Sequence, residues 1–395
     1  MNDFNFYSPT HYYFGKGKEA MTGEAVKAAG GTKVLIHYGG GSVIRSGLLD
    51  RVKKSLDEAG IGYCELGGVE PNPKASLVRK GIELARKENV DFILAVGGGS
   101  SIDSSKGIAI GVPYDGDFWD FYGLKEVETA LPVGVVLTIA AAGTEACDDS
   151  IITDDVSLLK RCATSDEIKP KFAIMNPELL ATLPPFQVKC AITDIVSHCM
   201  ERYFTRTPDV EITDRILEGI MLATIKEGKR ILEDPTNYGA LANFMWASTM
   251  AHGANMAAPG REQDWGAHRV ADAVASIYKV HHGVSLSVII PAWMERALKV
   301  DVNRFAQFAV RIFGVDNDFY NPEATARKGI EAYKQFLKSI DMPISLAEIG
   351  GKEEDIPVMA DMMFDRRPIG GKFLRLTEET KDEVVEIYKI ALNNK

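Results

Sequence analysis

Five of the seven histidines, His198, His252, His268, His281 and His282, fall within one stretch in the second half of the chain. Any one of them alone reads as an ordinary hydrogen-bonded side chain; their clustering with a carboxylate is what suggests chemistry. Imidazole nitrogens mixed with a carboxylate oxygen suit borderline divalent ions such as Fe2+ or Zn2+, whereas Mg2+ and Ca2+ favour oxygens. Asp194 and His198 are four residues apart, which on a helix puts both side chains on one face. His268 and one of the neighbours His281 and His282 would complete a set of one oxygen and three nitrogens. Spacing alone does not choose between the last two.

A second kind of chemistry is suggested by two glycine-rich turns that follow strand-like stretches and precede helical ones: Gly39-Gly40-Gly41-Ser42 and Gly97-Gly98-Gly99-Ser100. Small residues let a ligand approach the backbone, and the helix start beyond them offers unpaired N–H groups and a positive dipole end. One such turn is weak support for a phosphate site, since tight strand-to-helix connections need glycine anyway. Two in one parallel domain point to a dinucleotide. Folds that bind NAD usually place an acid after the second strand to hold the ribose 2′-hydroxyl. The run His37 to Ser42 has none, and Arg45 follows, so NADP(H) is expected ahead of NAD(H).

The elements that must position these groups change character along the chain. Lys33–Tyr38, Phe92–Val96, Gly134–Thr138 and Phe172–Met175 read as strands, separated by helical stretches at Leu48–Ala59 and Ile102–Ile110. That rhythm means parallel βαβ units. After Pro184-Pro185 helical periodicity dominates, with breaks expected near Pro208, Pro235, Pro259, Pro291, Pro322 and Pro343. The expected division is an α/β domain over 1–185 and a helical domain over 186–395.

A chain of 395 residues with 46% hydrophobic and 25% charged residues is globular in composition and long enough for two domains. Its net charge of -10 argues against nucleic acid or an anionic membrane as partner. The start, Met1-Asn2-Asp3-Phe4, has no secretory pattern, and no apolar run is long enough to span a bilayer. The cysteines Cys64, Cys147, Cys162, Cys190 and Cys199 are scattered and odd in number, which fits free thiols in a reducing cytoplasm.

With these residues in view, the chain resembles the iron-containing (group III) alcohol dehydrogenases, in particular their butanol dehydrogenase branch. The resemblance runs through Gly97 to Lys106, Pro170 to Leu179, Asp194 to Glu201, Asp264 to His268 and His282 to Ser285. It implies a Rossmann-like N-terminal domain plus an all-α C-terminal domain, the dehydroquinate synthase-like architecture. It also implies an NAD(P)-dependent oxidoreductase that interconverts primary alcohols and aldehydes, with a divalent metal as Lewis acid and a homodimeric assembly. By resemblance the metal ligands fall on Asp194, His198, His268 and His282. Cofactor contacts fall on Gly39, Gly40, Gly41, Ser42, Asn72, Gly98, Gly99, Ser100, Asp103, Thr138, Lys160 and Leu179. Three places depart from the family pattern. Ala142 stands where a hydroxyl residue is usual, and Ala146-Cys147 stands for Met-Asn. Asp272 replaces the second histidine linked to proton relay, so Asp272 is the candidate catalytic residue. Two other readings of the same scaffold are a polyol or lactaldehyde oxidoreductase and a nucleotide-binding protein with reduced catalysis.

Overall fold

Strands buried on both faces of a parallel sheet read as unbroken apolar runs, and Phe92–Gly97 is such a run with every residue buried. The computed structural model describes residues 1–123, 125–157, 159–253, 258–364 and 372–394. Its strands, in chain order, are β1 (His11–Phe14), β2 (Lys33–Gly39), β3 (Gly62–Val69), β4 (Phe92–Gly97), β5 (Val133–Leu137), β6 (Asp149–Thr153), β7 (Lys160–Thr164) and β8 (Phe172–Met175). Six of them form one parallel sheet in the order β1-β8-β5-β4-β2-β3, and β6 and β7 pair antiparallel by themselves. The four strands expected from sequence are thus present at nearly the expected bounds.

The sheet's two faces carry separate apolar clusters. On one side Ile93 and Leu35 pack with Val78, Ile82 and Ile108. On the other, Leu94, Val96, Val34 and Ile36 pack with Val52 and Leu56. The helix Leu48–Ala59 buries Leu48, Leu49, Val52 and Leu56, a single stripe at helical spacing.

Chain contacts divide the molecule into two compact units. One comprises Tyr7–Leu183 with Asp234–Ala254; the other comprises Met1–Phe6, Pro184–Glu233 and Asn255–Lys395. The second unit contains the helices Pro185–Tyr203, Glu211–Glu233, Gly266–Tyr278, His282–Ala297, Val302–Phe313, Pro322–Ser339, Ile356–Met363 and Lys381–Asn393. The fold is a Rossmann-like parallel-sheet domain with a helical domain. Pro291 does not break the chain as expected: it sits buried inside the helix His282–Ala297. A buried helix packed on its neighbours tolerates the one hydrogen bond a proline removes. Pro322 opens its helix at the first turn, where a missing N–H costs nothing. Among the described residues no helix is long and apolar enough to cross a membrane.

Candidate functional site

In the helical unit, three helices bring the expected ligands together. Asp194 and His198 lie one turn apart on Pro185–Tyr203, His268 is in the first turn of Gly266–Tyr278, and His282 is the first residue of His282–Ala297. The Nε2 atoms of His198, His268 and His282 lie 3.7, 4.0 and 3.7 Å from one oxygen, Asp194 Oδ1. Donor atoms of Asp194, His268 and His282 all fall within 4.8 Å of one another. The rings of His198 and His268 stack with centroids 5.0 Å apart. A first-row divalent ion bonded at about 2.1 Å holds its donors roughly 3–4 Å apart, so this arrangement fits one. His268 Nε2 is buried with no hydrogen-bond partner among the described residues, which is costly unless a cation takes its lone pair. His282 is the most exposed of the four, with 32% of its side chain accessible, so solvent reaches the cluster from its side.

Glu201 was not singled out from sequence as a site residue. It sits two turns beyond Asp194 on the same helix, and its Oε1 accepts both the His268 backbone N–H, at 2.8 Å, and the Nδ1–H, at 2.7 Å. That carboxylate is 2% exposed and fixes the tautomer in which Nε2 carries the lone pair toward Asp194. The i, i+4, i+7 spacing of Asp194, His198 and Glu201 is the signal that could have found it.

The helix carrying His282 crosses the Asp194 helix at backbone contact. A Cβ on Gly283 would lie 2.5 Å from Cys190 O and 2.6 Å from Cys190 Cα, so only glycine lets the two helices approach this closely there. His281 is exposed and turns its ring edge toward Phe186, centroids 5.1 Å apart. His252 belongs to the segment grouped with the sheet unit. Asp272, half-buried, follows His268 by one helical turn and so shares its face.

In the sheet unit, strand order reverses between β2 and β4: the chain leaves β2 toward β3 on one side and returns through β4, β5 and β8 on the other. Such a switch point opens a crevice at the carboxyl ends of the strands. The ends of β2 and β4 carry the two glycine turns, Gly39 to Ser42 and Gly98 to Ser100. Gly98 is extended and begins the helix Gly99–Gly111, and a Cβ there would meet Ile139 at 2.9 Å. The Arg45 guanidinium lies beside the first turn, with Nη1 3.2 Å from where a Gly41 Cβ would be. Thr138 donates its N–H to Gly97 O at 3.0 Å, holding the end of β5 against the second turn. Asp103, on the same helix, accepts from Thr144 Oγ1 at 2.6 Å, and burial pushes its carboxyl up to about 6. Asn72 follows β3 in the left-handed region at φ 56. Lys160 opens β7, and Leu179 packs against the apolar face that contains Val34 and Ile174.

Family models match both parts of this architecture, one described as iron-containing alcohol dehydrogenase over residues 9–177 and one as the Fe-containing alcohol dehydrogenase C-terminal region over 190–392. The chain belongs to the iron-containing alcohol dehydrogenase family. Among curated members it is 37% identical over 391 residues to NADH-dependent butanol dehydrogenase A of Clostridium acetobutylicum, covering 98% of this chain and 99% of the relative. It is 34% identical to the NADPH-dependent aldehyde reductase YqhD of Escherichia coli, covering 91% and 92%. Among solved structures, NADH-dependent butanol dehydrogenase A of Thermotoga maritima superposes with a TM-score of 0.94 at 37% identity, covering 100% of this chain and 99% of that one. As a member of the iron-containing alcohol dehydrogenases, the protein is an NAD(P)-linked, divalent-metal oxidoreductase of alcohols and aldehydes. Its family relatives include both NADH- and NADPH-dependent enzymes.

Proposed function

We propose that Asp194, His198, His268 and His282 hold one Fe2+ or Zn2+ ion and that the switch-point crevice holds NADP(H), in a butanol dehydrogenase-like reductase of short-chain aldehydes. The convergence of three imidazole nitrogens on Asp194 Oδ1 carries this reading. When bound, the cation supplies Lewis-acid polarisation of a carbonyl oxygen and the nicotinamide supplies the hydride. The protein's own residues bind, orient and move protons. Glu201 holds His268 in the tautomer that leaves Nε2 available. The backbone at Gly98 to Ser100 cradles the pyrophosphate at a helix start. Ser42 and Arg45 receive the 2′-phosphate, a role supported by the guanidinium's place beside Gly41 and by the lack of an acid from His37 to Ser42. Asp272, one turn from His268, takes the proton-relay position. The same reading places the enzyme in the cytoplasm as a homodimer, in keeping with its five free thiols.

The test is metal analysis together with NADPH consumption over C2–C6 aldehydes, for the wild type and for His268→Ala. Loss of bound metal and turnover together in the variant is expected. Full turnover by metal-free His268→Ala sinks the metal assignment. NADH bound as tightly as NADPH, judged by nicotinamide fluorescence, sinks the cofactor choice, as does an Arg45→Ala variant that still prefers NADPH.

A further inference from the structure

Lys106 is a lysine with no solvent exposure at all, two turns into the helix that begins at the second glycine turn. Its Nζ donates to the carbonyls of Thr144, Cys147 and Asp149, each at 2.8 Å, with Thr144 Oγ1 a further acceptor at 3.2 Å. An ammonium has three donors, and three carbonyls use them all. Lys106 therefore has nothing left to offer a ligand. A buried cation is kept at high desolvation cost, so its place calls for a reason beyond filling space.

The segment it grips points to that reason. Ile139, Ala142 and Thr144 are the side chains against which Gly98 and Gly99 pack: hypothetical Cβ atoms on the two glycines would lie 2.9 Å from Ile139 Cβ, 3.3 Å from Ala142 Cβ and 3.5 Å from Thr144 Cγ2. The chain from Ile139 to Thr144 thus forms one wall of the crevice at the switch point. Three further ties fix this segment and the residue that follows it. Asp103 accepts from Thr144 Oγ1 at 2.6 Å, and buried Glu145 accepts from Thr249 Oγ1 at 2.5 Å. Gly143, at φ +64, meets the backbone of Gly253, whose own Cβ would run into Gly143 O. Lys106 holds the end of this wall and the chain just behind it: of its three carbonyls, Thr144 O belongs to the wall, and Cys147 O and Asp149 O lie on the stretch that runs from it into β6.

We propose that Lys106 is a positioning residue: by holding Thr144 O at the end of the wall, and Cys147 O and Asp149 O on the chain behind it, it anchors the wall of the crevice and thereby sets the affinity for the dinucleotide, without touching it. This rests on the reading that the crevice is where NADP(H) binds. Removing the ammonium frees the wall, so the nucleotide must order it on binding, and that ordering is subtracted from affinity. Once the nucleotide is bound, the reacting groups are where they were.

Lys106→Met in the full-length enzyme is the test, with NADPH as probe, read by nicotinamide fluorescence and by steady-state kinetics. The expected result is a dissociation constant and a KM for NADPH raised about tenfold, with kcat at saturating NADPH within about threefold. Metal affinity, measured by chelator competition, stays at the wild-type value. Unchanged NADPH affinity in a folded Lys106→Met overturns the proposal, and so does a fall in kcat with KM unchanged. If Lys106→Met does not fold, Lys106→Gln, whose amide can keep at most two of the three carbonyl contacts, is measured instead and is expected to raise KM for NADPH by about threefold; no rise overturns the proposal. Gly99→Val, which crowds the turn itself, separates the two ideas. If it binds NADPH like the wild type, the crevice is not the nucleotide site. If it loses NADPH while Lys106→Met does not, the site stands and the role given to Lys106 falls.

Discussion

Glu201 shows how much of the proposed metal centre rests on a residue outside its four ligands. One of its oxygens accepts from both the backbone and the ring of His268, so one carboxylate fixes the place and the tautomer of a proposed ligand at once. Glu201→Gln keeps the shape but can no longer offer a charged acceptor, and outer-sphere changes of this kind weaken metal binding roughly 10–100-fold. Chelator competition on the purified variant, with the thermal midpoint of the metal-free protein as a control, measures it; wild-type metal affinity would show that the tautomer is set elsewhere. At this scale the sequence was most informative about residues whose type alone announces chemistry. His198, His268 and His282 are visible because histidine is rare and Asp194 because it stands four residues before one, while the choice of His282 over His281 rests on resemblance, not spacing. Glu201 is one glutamate among many, and only its contact with His268 distinguishes it. Lys106 stands in the sequence only as the end of the run from Gly97, since nothing in a lysine's identity reveals that it is buried.

Helices carry the four proposed ligands, and the fit between two of those helices depends on the absence of a side chain. Gly283 meets Cys190 through the backbone, so Gly283→Ala must move the helix His282–Ala297 away from Pro185–Tyr203, because neither a carbonyl oxygen nor a Cα can step aside. The first residue of the displaced helix is a proposed ligand, and a shift of a few tenths of an ångström lengthens one metal bond beyond its narrow range. A matched control exists in the same unit: a Cβ on Gly329 would lie 2.8 Å from Ala309 Cα at the crossing of Val302–Phe313 and Pro322–Ser339. Overpacking costs about 1–3 kcal/mol at either place. Both variants are expected to lower the thermal midpoint of the metal-free protein, but only Gly283→Ala should also weaken metal binding, by about tenfold or more. Equal metal affinity in the two would mean that the crossing does not govern ligand spacing. Element by element, periodicity located the helix Leu48–Ala59 and the strand Phe172–Met175 at their observed bounds. The edge strands β1 and β3 were not read from sequence. Only half covered, β3 carries Gly62, Glu65, Gly67 and Gly68 in place of an apolar run. The break expected at Pro291 failed because proline's local penalty is small beside the burial of the apolar helix around it.

Whole-molecule organisation is where local pattern says least: helical periodicity after Pro185 says that helices follow, but not that Tyr238–Ser248 and the turn after it group with the sheet unit. Membership in a unit is decided by long-range contacts such as Glu145 with Thr249, and these leave no periodic trace. Stability against acid is a property of this scale, and one buried histidine contributes to it. His37, in β2, donates from Nδ1 to Leu66 O at 2.7 Å and accepts at Nε2 from Ser104 Oγ at 2.8 Å, so the neutral ring ties β2 to β3 and to the helix behind the second glycine turn. Burial lowers its pKa from 6.5 to about 4. Between those values the unfolded chain binds a proton that the folded chain refuses, so stability is intact above 6.5 and declines as the pH falls toward 4, by on the order of 3 kcal/mol. Asp103 acts in the opposite sense: its carboxyl is pushed up to about 6 by burial, so folded protein takes up that proton more readily and gains stability as the pH falls through this range. The wild-type curve is therefore a sum of opposed contributions, and the difference from His37→Gln, which retains a donor and an acceptor but does not titrate, isolates the histidine. Urea unfolding at a series of pH values should give two curves that run parallel above 6.5 and separate below it, with the wild type losing the more. Curves that stay parallel down to 4 would mean that the ring is protonated in the folded protein and that the Ser104 hydroxyl turns to accept from it.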